Sequence, residues 1–118
     1  MVLVDTSVWV SHFRDGNAGL AALLDEGSVM CHPFIIGELA CGNLTDRATI
    51  LSSLRLLPMT VEADNEEVLT FIERHRLMGK GIGFVDVHLL ASAVLTGVPV
   101  WTLDKKLAQA AHSLRIKF

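Results

Sequence analysis

Apolar and polar residues follow one another along the chain in blocks that predict alternating strands and helices. Short apolar runs at residues 2–4, 29–32, 56–59, 98–103 and 114–118 have the length of buried strands. Between them, apolar residues recur at intervals of three and four, the spacing of a helix that buries one face. Strands that alternate with helices favour a parallel sheet covered on both faces. The pattern therefore predicts an α/β fold with a central, mostly parallel sheet of about four to five strands.

Local signals predict where several helices begin and end. Pro33 fits the first turn of the helix after the second strand, and Thr45 can cap the helix that follows it. Asp64 with Glu67 three residues later has the spacing of a capping box, with Asp in the place of Ser or Thr. Gly97 is expected to end a later helix. These signals support helical connections between the apolar runs.

Composition narrows the class of protein. The chain has 118 residues, of which 51% are hydrophobic, so we expect one domain spanning residues 1–118 with a sizeable core. The net charge of −3 is not that of a strongly basic nucleic-acid binder, so any contact with a polyanion must come from a local patch. No apolar run reaches membrane-spanning length, and Cys31 and Cys41 have no metal-ligand spacing. We expect a cytoplasmic protein with two ordinary thiols.

Four acids are predicted to meet at one edge of the sheet. Asp5 and Asp104 directly follow strands, and parallel strands end at the same edge, where ligands bind in open α/β sheets. Glu38 lies in the second turn of the helix after the second strand. Asp86 lies in the first turn of the helix before the strand that leads to Asp104, which places it at the same edge if the crossover is ordinary.

Each acid also has a purely structural interpretation. Asp5 and Asp104 could be helix N-caps, Asp86 a first-turn acid stabilised by the helix dipole, and Glu38 a solvated helix residue. Considered together, however, four neighbouring carboxylates repel one another unless a cation is present. Mg²⁺ or Mn²⁺ would relieve this repulsion, since both ions prefer oxygen ligands.

Such a site predicts attack by a metal-activated water. No Ser-His or Cys-His spacing supplies a protein nucleophile, whereas a bound metal lowers the pKa of a water and stabilises the charge on an attacked phosphodiester. Lys80, Lys105 and Lys106 flank the predicted site and could hold phosphates. An equally good interpretation of each is a solvated surface lysine.

These residues carry a family resemblance. The segments VLVDTSVW (2–9), GEL (37–39), GIGFVD (81–86) with LLASA (89–93), and WTLD (101–104) resemble the successive motifs of PIN-domain ribonucleases. More narrowly, the chain resembles the VapC toxins of bacterial type II toxin–antitoxin pairs. Any one motif is weak, but their order and spacing span essentially the whole of a short chain.

The resemblance implies a three-layer α/β/α fold and Mg²⁺- or Mn²⁺-dependent cleavage of RNA. By it, Asp5, Asp86 and Asp104 are metal ligands, and Glu38 completes the catalytic cluster by acting directly, through water, or by orienting the nucleophile. It further implies a homodimer and a VapB-like antitoxin whose tail blocks the site. The hydroxyl residues implied to support the ligands by hydrogen bonds are Thr6, Ser7 and Thr102.

One departure from the family pattern concerns the number of metal ions. Many members carry a further acid shortly after the position of Asp104, whereas Lys105 and Lys106 follow it here. This departure favours one tightly bound metal over two.

Other classes of protein fit the residues less well. A haloacid-dehalogenase-like phosphatase needs a second Asp two residues after the first, where this chain has Ser7. A receiver-like module needs an acidic pair near the first strand, and Asp5 has no acidic neighbour. A PIN-fold scaffold that only binds a partner stays open, since the presence of four acids does not establish turnover.

Overall fold

A computed structural model describes all residues, 1–118, as three strands and seven helices. The strands are β1 (Val2–Val4), β2 (Val29–Met30) and β3 (Val100–Trp101). The helices are α1 (Thr6–Asp15), α2 (Ala18–Asp25), α3 (Pro33–Ala40), α4 (Arg47–Arg55), α5 (Asn65–His75), α6 (Phe84–Thr96) and α7 (Lys105–Ser113). None of the helices is long and apolar enough to cross a membrane.

The three strands form one parallel sheet in the order β2-β1-β3. In the register of this sheet Leu3 lies opposite Met30 on one side and Val100 on the other. All three residues of β1 are buried, and successive strand residues point to opposite faces, so both faces of the central strand are covered. The predicted α/β class with a parallel sheet is confirmed.

The predicted number of strands is wrong, because the sheet has three rather than four to five. Residues 56–59 and 114–118 contribute only single parallel bridges, between Met59 and Cys31 and between Lys117 and Val100. α4 extends to Arg55, which leaves little extended chain before Pro58, a residue with no N–H to donate. After α7, Arg115 has a left-handed φ of 61°, which delays the extended conformation until the last residues.

The helix ends agree with most of the sequence signals. Asp64 and Glu67 form the predicted capping box, and Gly97 ends α6 in the left-handed conformation. Pro33 is the first residue of α3. The predicted cap at Thr45 is wrong, because Asp46 precedes α4 and makes no capping bond through its side chain.

α6 is the most enclosed helix of the molecule. Every residue from 87 to 93 is buried, so the middle of this helix has no solvated face. His88 lies in this stretch, where Nε2 is 3.1 Å from Asn65 Oδ1 and the ring packs edge-on against Phe34 and Phe84. The buried middle of α6 fixes the helix whose first turn carries Asp86.

Candidate active site

Asp5 lies directly after the central strand and is only 6% exposed. Its Oδ2 accepts hydrogen bonds from Ser7 Oγ at 2.7 Å and from Thr102 Oγ1 at 2.8 Å, with a longer contact from the Ser7 amide at 3.4 Å. Its Oδ1 has no hydrogen bond from the protein. The carboxylate is therefore fixed through one oxygen and open at the other.

The two hydroxyl groups on Asp5 also hold the chain after β3. The Leu103 amide donates to Ser7 Oγ at 2.9 Å, and the Asp104 amide donates to Thr102 Oγ1 at 3.0 Å. Each hydroxyl thus accepts from backbone and donates its single proton to Asp5. Ser7 and Thr102 join the ends of β1 and β3 and set the position of Asp104 relative to Asp5.

Asp104 is the N-cap of α7. Its Oδ1 accepts from the amides of Lys106 at 2.9 Å and Leu107 at 3.0 Å, which satisfies two of the donors that a helix leaves free at its start. Its Oδ2, like Asp5 Oδ1, accepts no hydrogen bond from the protein. The sequence-based suggestion that this Asp is a helix cap is correct, and it leaves half of the carboxylate unused.

Asp86 occupies the third position of α6, where Oδ2 accepts from the Gly83 amide at 3.1 Å. Burial raises the pKa of this carboxyl, and the charges of Asp5 and Asp104 raise it further, against the lowering effect of the Gly83 hydrogen bond. These influences show that Asp5, Asp86 and Asp104 lie within electrostatic range of one another, although they come from three distant parts of the chain.

Glu38 stands at the margin of this group. Its Oε1 accepts from Thr6 Oγ1 at 2.7 Å, and Thr6 adjoins Asp5 in the sequence. Thr6 therefore supports Glu38, whereas Ser7 and Thr102 support Asp5. The structure brings all four acids to the edge of the sheet where the strands end.

The chemistry of these acids suits a hard divalent cation. Each of the four has one oxygen held by a hydrogen bond and one oxygen without a protein partner. Free carboxylate oxygens on fixed side chains are the ligands that Mg²⁺ and Mn²⁺ prefer. In this conformation no three His, Cys, Asp or Glu side chains are placed to hold one ion together. The convergence of Asp5, Asp86 and Asp104 on one metal stays a prediction.

Two of the three predicted phosphate-binding lysines lie together. Lys80 and Lys106 line a groove of about 450 Å³, which we call the basic groove. Its other lining residues are His75, Arg76, Leu77, Gln109, Ala110, His112 and Ser113. Lys105 does not line this groove. It lines an adjoining cleft with Ala108 and Lys117, and Gln109 and His112 line both. The sequence did not indicate His75 or His112, because no spacing relates the end of α5 to α7.

His32 is a buried residue outside the acidic cluster. Its Nδ1 accepts from the Phe34 amide at 2.9 Å and so caps α3, the helix that carries Glu38. Its Nε2 is buried without a hydrogen-bond partner. Burial lowers the pKa of His32, with a smaller lowering effect from His88 and an opposing one from Glu62.

The fold and site together define a class: an α/β protein whose acids gather where parallel strands end. Comparison with known proteins identifies the family. The sequence profile of the PIN domain matches residues 2–113. Ribonuclease VapC32 from Mycobacterium tuberculosis, in strains CDC 1551 / Oshkosh and ATCC 25618 / H37Rv, is 43% identical over 111 residues, covering 93% of this chain and 90% of that protein. The chain belongs to the PIN-domain family, and the resemblance seen in its motifs is confirmed.

Solved structures share the fold at low sequence identity. The structure of FitAcB from Neisseria gonorrhoeae contains a chain that superposes with a TM-score of 0.66 at 22% identity, covering 95% of this chain and 94% of that one. PAE2754 from Pyrobaculum aerophilum superposes with a TM-score of 0.60 at 17% identity, covering 98% of this chain and 88% of that one. At these identities the likeness concerns the fold alone.

Proposed function

We propose that residues 1–118 act as a single PIN-like domain that hydrolyses RNA phosphodiester bonds with the help of Mg²⁺ or Mn²⁺. The observation that carries this proposal is the 43% identity with Ribonuclease VapC32 over 93% of the chain. The four acids at the carboxyl edge of the sheet support it, because each keeps an oxygen free for a cation or a water.

The roles of the acids follow from their surroundings. The free oxygens of Asp5, Asp86 and Asp104 would hold the metal. A bound metal ion would lower the pKa of a water molecule and offset the charge that develops on the phosphodiester. Asp5 is fixed by Ser7 and Thr102, so its ligand oxygen is pre-oriented. Burial raises the pKa of Asp86 most, and the charges of Asp5 and Asp104 add to the rise; a cation would relieve the repulsion among these carboxylates.

We propose that Glu38 orients the attacking water or accepts a proton from it. Thr6 holds its Oε1, and Oε2 stays free to accept a proton or to orient that water by a hydrogen bond. Because Glu38 is held by Thr6 and not by the hydroxyls that fix Asp5, we assign it to the nucleophile and not to the metal.

RNA cleavage by the purified protein tests the proposal. The assay contains Mg²⁺ or Mn²⁺, with an EDTA control, and compares wild type with Asp86→Asn. Asp64→Asn is the matched control, since Asp64 is also an acid at a helix N-terminus but lies outside the cluster. Cleavage that needs metal, survives in Asp64→Asn and is lost in Asp86→Asn is expected. Cleavage that persists in EDTA or in Asp86→Asn would refute the assignment.

We also propose that the chain is the toxin of a VapBC-type pair, with a VapB-like antitoxin and a homodimeric state. The kinship with Ribonuclease VapC32 supports this pairing. Co-expression with the product of an adjacent small gene should yield a complex that does not cleave RNA, and light scattering on the toxin alone should give twice the chain mass of 12.9 kDa. A monomer in solution would contradict the homodimer, and a complex with full RNA cleavage would contradict the pairing with an antitoxin.

A partner-binding scaffold without turnover is the second candidate. It is favoured by the absence of any three residues already placed to hold a metal ion. Calorimetric titration with Mn²⁺ separates the two candidates. A nuclease should bind Mn²⁺ and lose this binding in Asp5→Asn, whereas a scaffold has no need to bind the ion.

A further inference from the structure

The basic groove combines three cationic side chains with no acid. Arg76, Lys80 and Lys106 contribute positive charge, and no Asp or Glu lines it. The chain as a whole has a net charge of −3, so this local excess is not a consequence of composition. A concave surface of one charge sign raises the local concentration of ligands of the opposite charge.

The groove begins at the acidic cluster. The backbone amide of Lys106 donates to Asp104 Oδ1, and its side chain lies against Gly81 in the loop that leads to Asp86. Lys80 precedes Gly81 in the same loop. From this end the groove follows α7 past Gln109 to His112, a length of roughly 9 Å at 1.5 Å per residue.

From this geometry we infer that the basic groove binds a single-stranded RNA segment beside the bond that is cleaved. The inference rests on the proposed function, because it takes RNA as the substrate. The three cations would contact phosphates. His75, His112 and Gln109 offer planar rings and hydrogen-bonding groups, which suit unpaired bases better than an acidic peptide. A duplex would present its phosphates but not its bases to these side chains.

Arg76 offers an unusually clean way to test the inference. It ends α5 in the left-handed conformation with a φ of 53°, where glycine is more favourable than any other residue. Arg76→Gly therefore removes the guanidinium without straining the backbone. Arg115 provides a matched control, since it is exposed, has a φ of 61° and does not line the groove.

The experiment measures binding of a short fluorescein-labelled single-stranded RNA by anisotropy, in EDTA and over a series of KCl concentrations. Arg76→Gly combined with Lys80→Ala should weaken binding several-fold. It should also reduce the slope of log K against log salt by roughly 1.4, or about 0.7 for each phosphate that is no longer neutralised. Arg115→Gly should bind as wild type does. Melting temperatures of all variants should show that each is folded.

Three results would overturn the inference. The first is a double variant that binds with the affinity and slope of wild type. The second is an equal loss of RNA affinity in Arg115→Gly, which would indicate that RNA binding depends on the total positive charge and not on the groove. The third is competition by a polyglutamate peptide as strong as that by unlabelled RNA, which would assign the groove to acidic protein segments.

Cleavage by the same proteins separates this inference from the proposed function. The groove variant should lose kcat/KM mainly through KM, whereas Asp86→Asn should keep RNA binding and lose turnover. If the groove variant binds normally while wild type cuts with metal, only the groove assignment fails. If RNA binds through the groove but wild type with Mg²⁺ or Mn²⁺ never cuts it, the proposed function fails, and only RNA binding by the groove stands.

Discussion

Replacement of Asp5 should separate the structural from the chemical role of its carboxylate. Asp5→Asn keeps a carbonyl oxygen that can accept from Ser7 Oγ and Thr102 Oγ1. It also removes one of the charges that raise the pKa of Asp86. We therefore expect the metal-free Asn variant to be as stable as wild type or slightly more stable, while RNA cleavage is lost.

Asp5→Ala should instead destabilise the fold. It removes the acceptor of two short hydrogen bonds and the side chain that precedes α1. Asp5→Ala loses two charge-assisted hydrogen bonds and a helix cap. Water can reach the freed hydroxyls in part, so we expect the free energy of unfolding to fall by roughly 3 kcal/mol. For a chain of this size, 1 kcal/mol shifts the melting temperature by about 4 °C, so the Ala variant should melt about 12 °C below wild type.

Circular dichroism melts of both Asp5 variants in EDTA measure this difference. The matched pair is Asp64→Asn and Asp64→Ala, because Asp64 caps α5 with a single bond, from the Glu67 amide at 2.8 Å. The Ala and Asn variants at position 64 should differ by only about 1 kcal/mol. If the two Asp5 variants melt together, the network through Ser7 and Thr102 does not stabilise the fold, and the reasoning is refuted.

Three further predictions concern buried groups. Burial raises the pKa of Cys31 to about 11, so at pH 8 roughly one Cys31 thiol in a thousand is ionised. A thiol titration of the folded protein should therefore count only the exposed Cys41, and a count of two thiols would contradict the burial of Cys31. Burial lowers the pKa of His32 from its ordinary value of 6.5. Below pH 6.5 the unfolded chain therefore binds more protons than the folded protein, and the free energy of unfolding falls as the pH falls, by up to about 1.4 kcal/mol per pH unit. Melts across this range should show a smaller fall in His32→Asn, which keeps the α3 cap, and an identical fall would contradict the assignment. Ser92→Ala should cost about 1–3 kcal/mol, because Ser92 Oγ accepts from the buried Ala63 amide at 3.2 Å; an unchanged denaturation midpoint would refute this.

The sequence predicts the fold class because strand burial and helix periodicity are local properties. It misjudges the sheet for a reason that is not local. Residues 56–59 and 114–118 are apolar enough for strands, but how many of their residues pair depends on where α4 and α7 end. Arg115 shows where prediction from the sequence ends, since nothing in its own side chain indicates a left-handed backbone.

The acidic edge could be predicted from topology, because Asp5 and Asp104 follow strands that run in parallel. The roles of the hydroxyls could not be assigned individually. That Thr6 bonds Glu38 while Ser7 bonds Asp5 depends on the direction of each side chain at the first turn of α1. The sequence marked Lys80 and Lys106 as possible phosphate contacts. It could not place them in one groove, because the other lining residues come from the end of α5 and the far end of α7.

The double use of Asp104, as a cap for α7 and as a member of the acidic cluster, affects how this protein can change during evolution. If selection for the chemistry ended, selection for a stable α7 would still disfavour Ala or Leu at this position, because the amides of Lys106 and Leu107 need an acceptor. Asn or Ser would satisfy them. Descendants that have lost the chemistry should therefore drift first to Asn or Ser at position 104, and an Asp retained there is only weak proof of a working site.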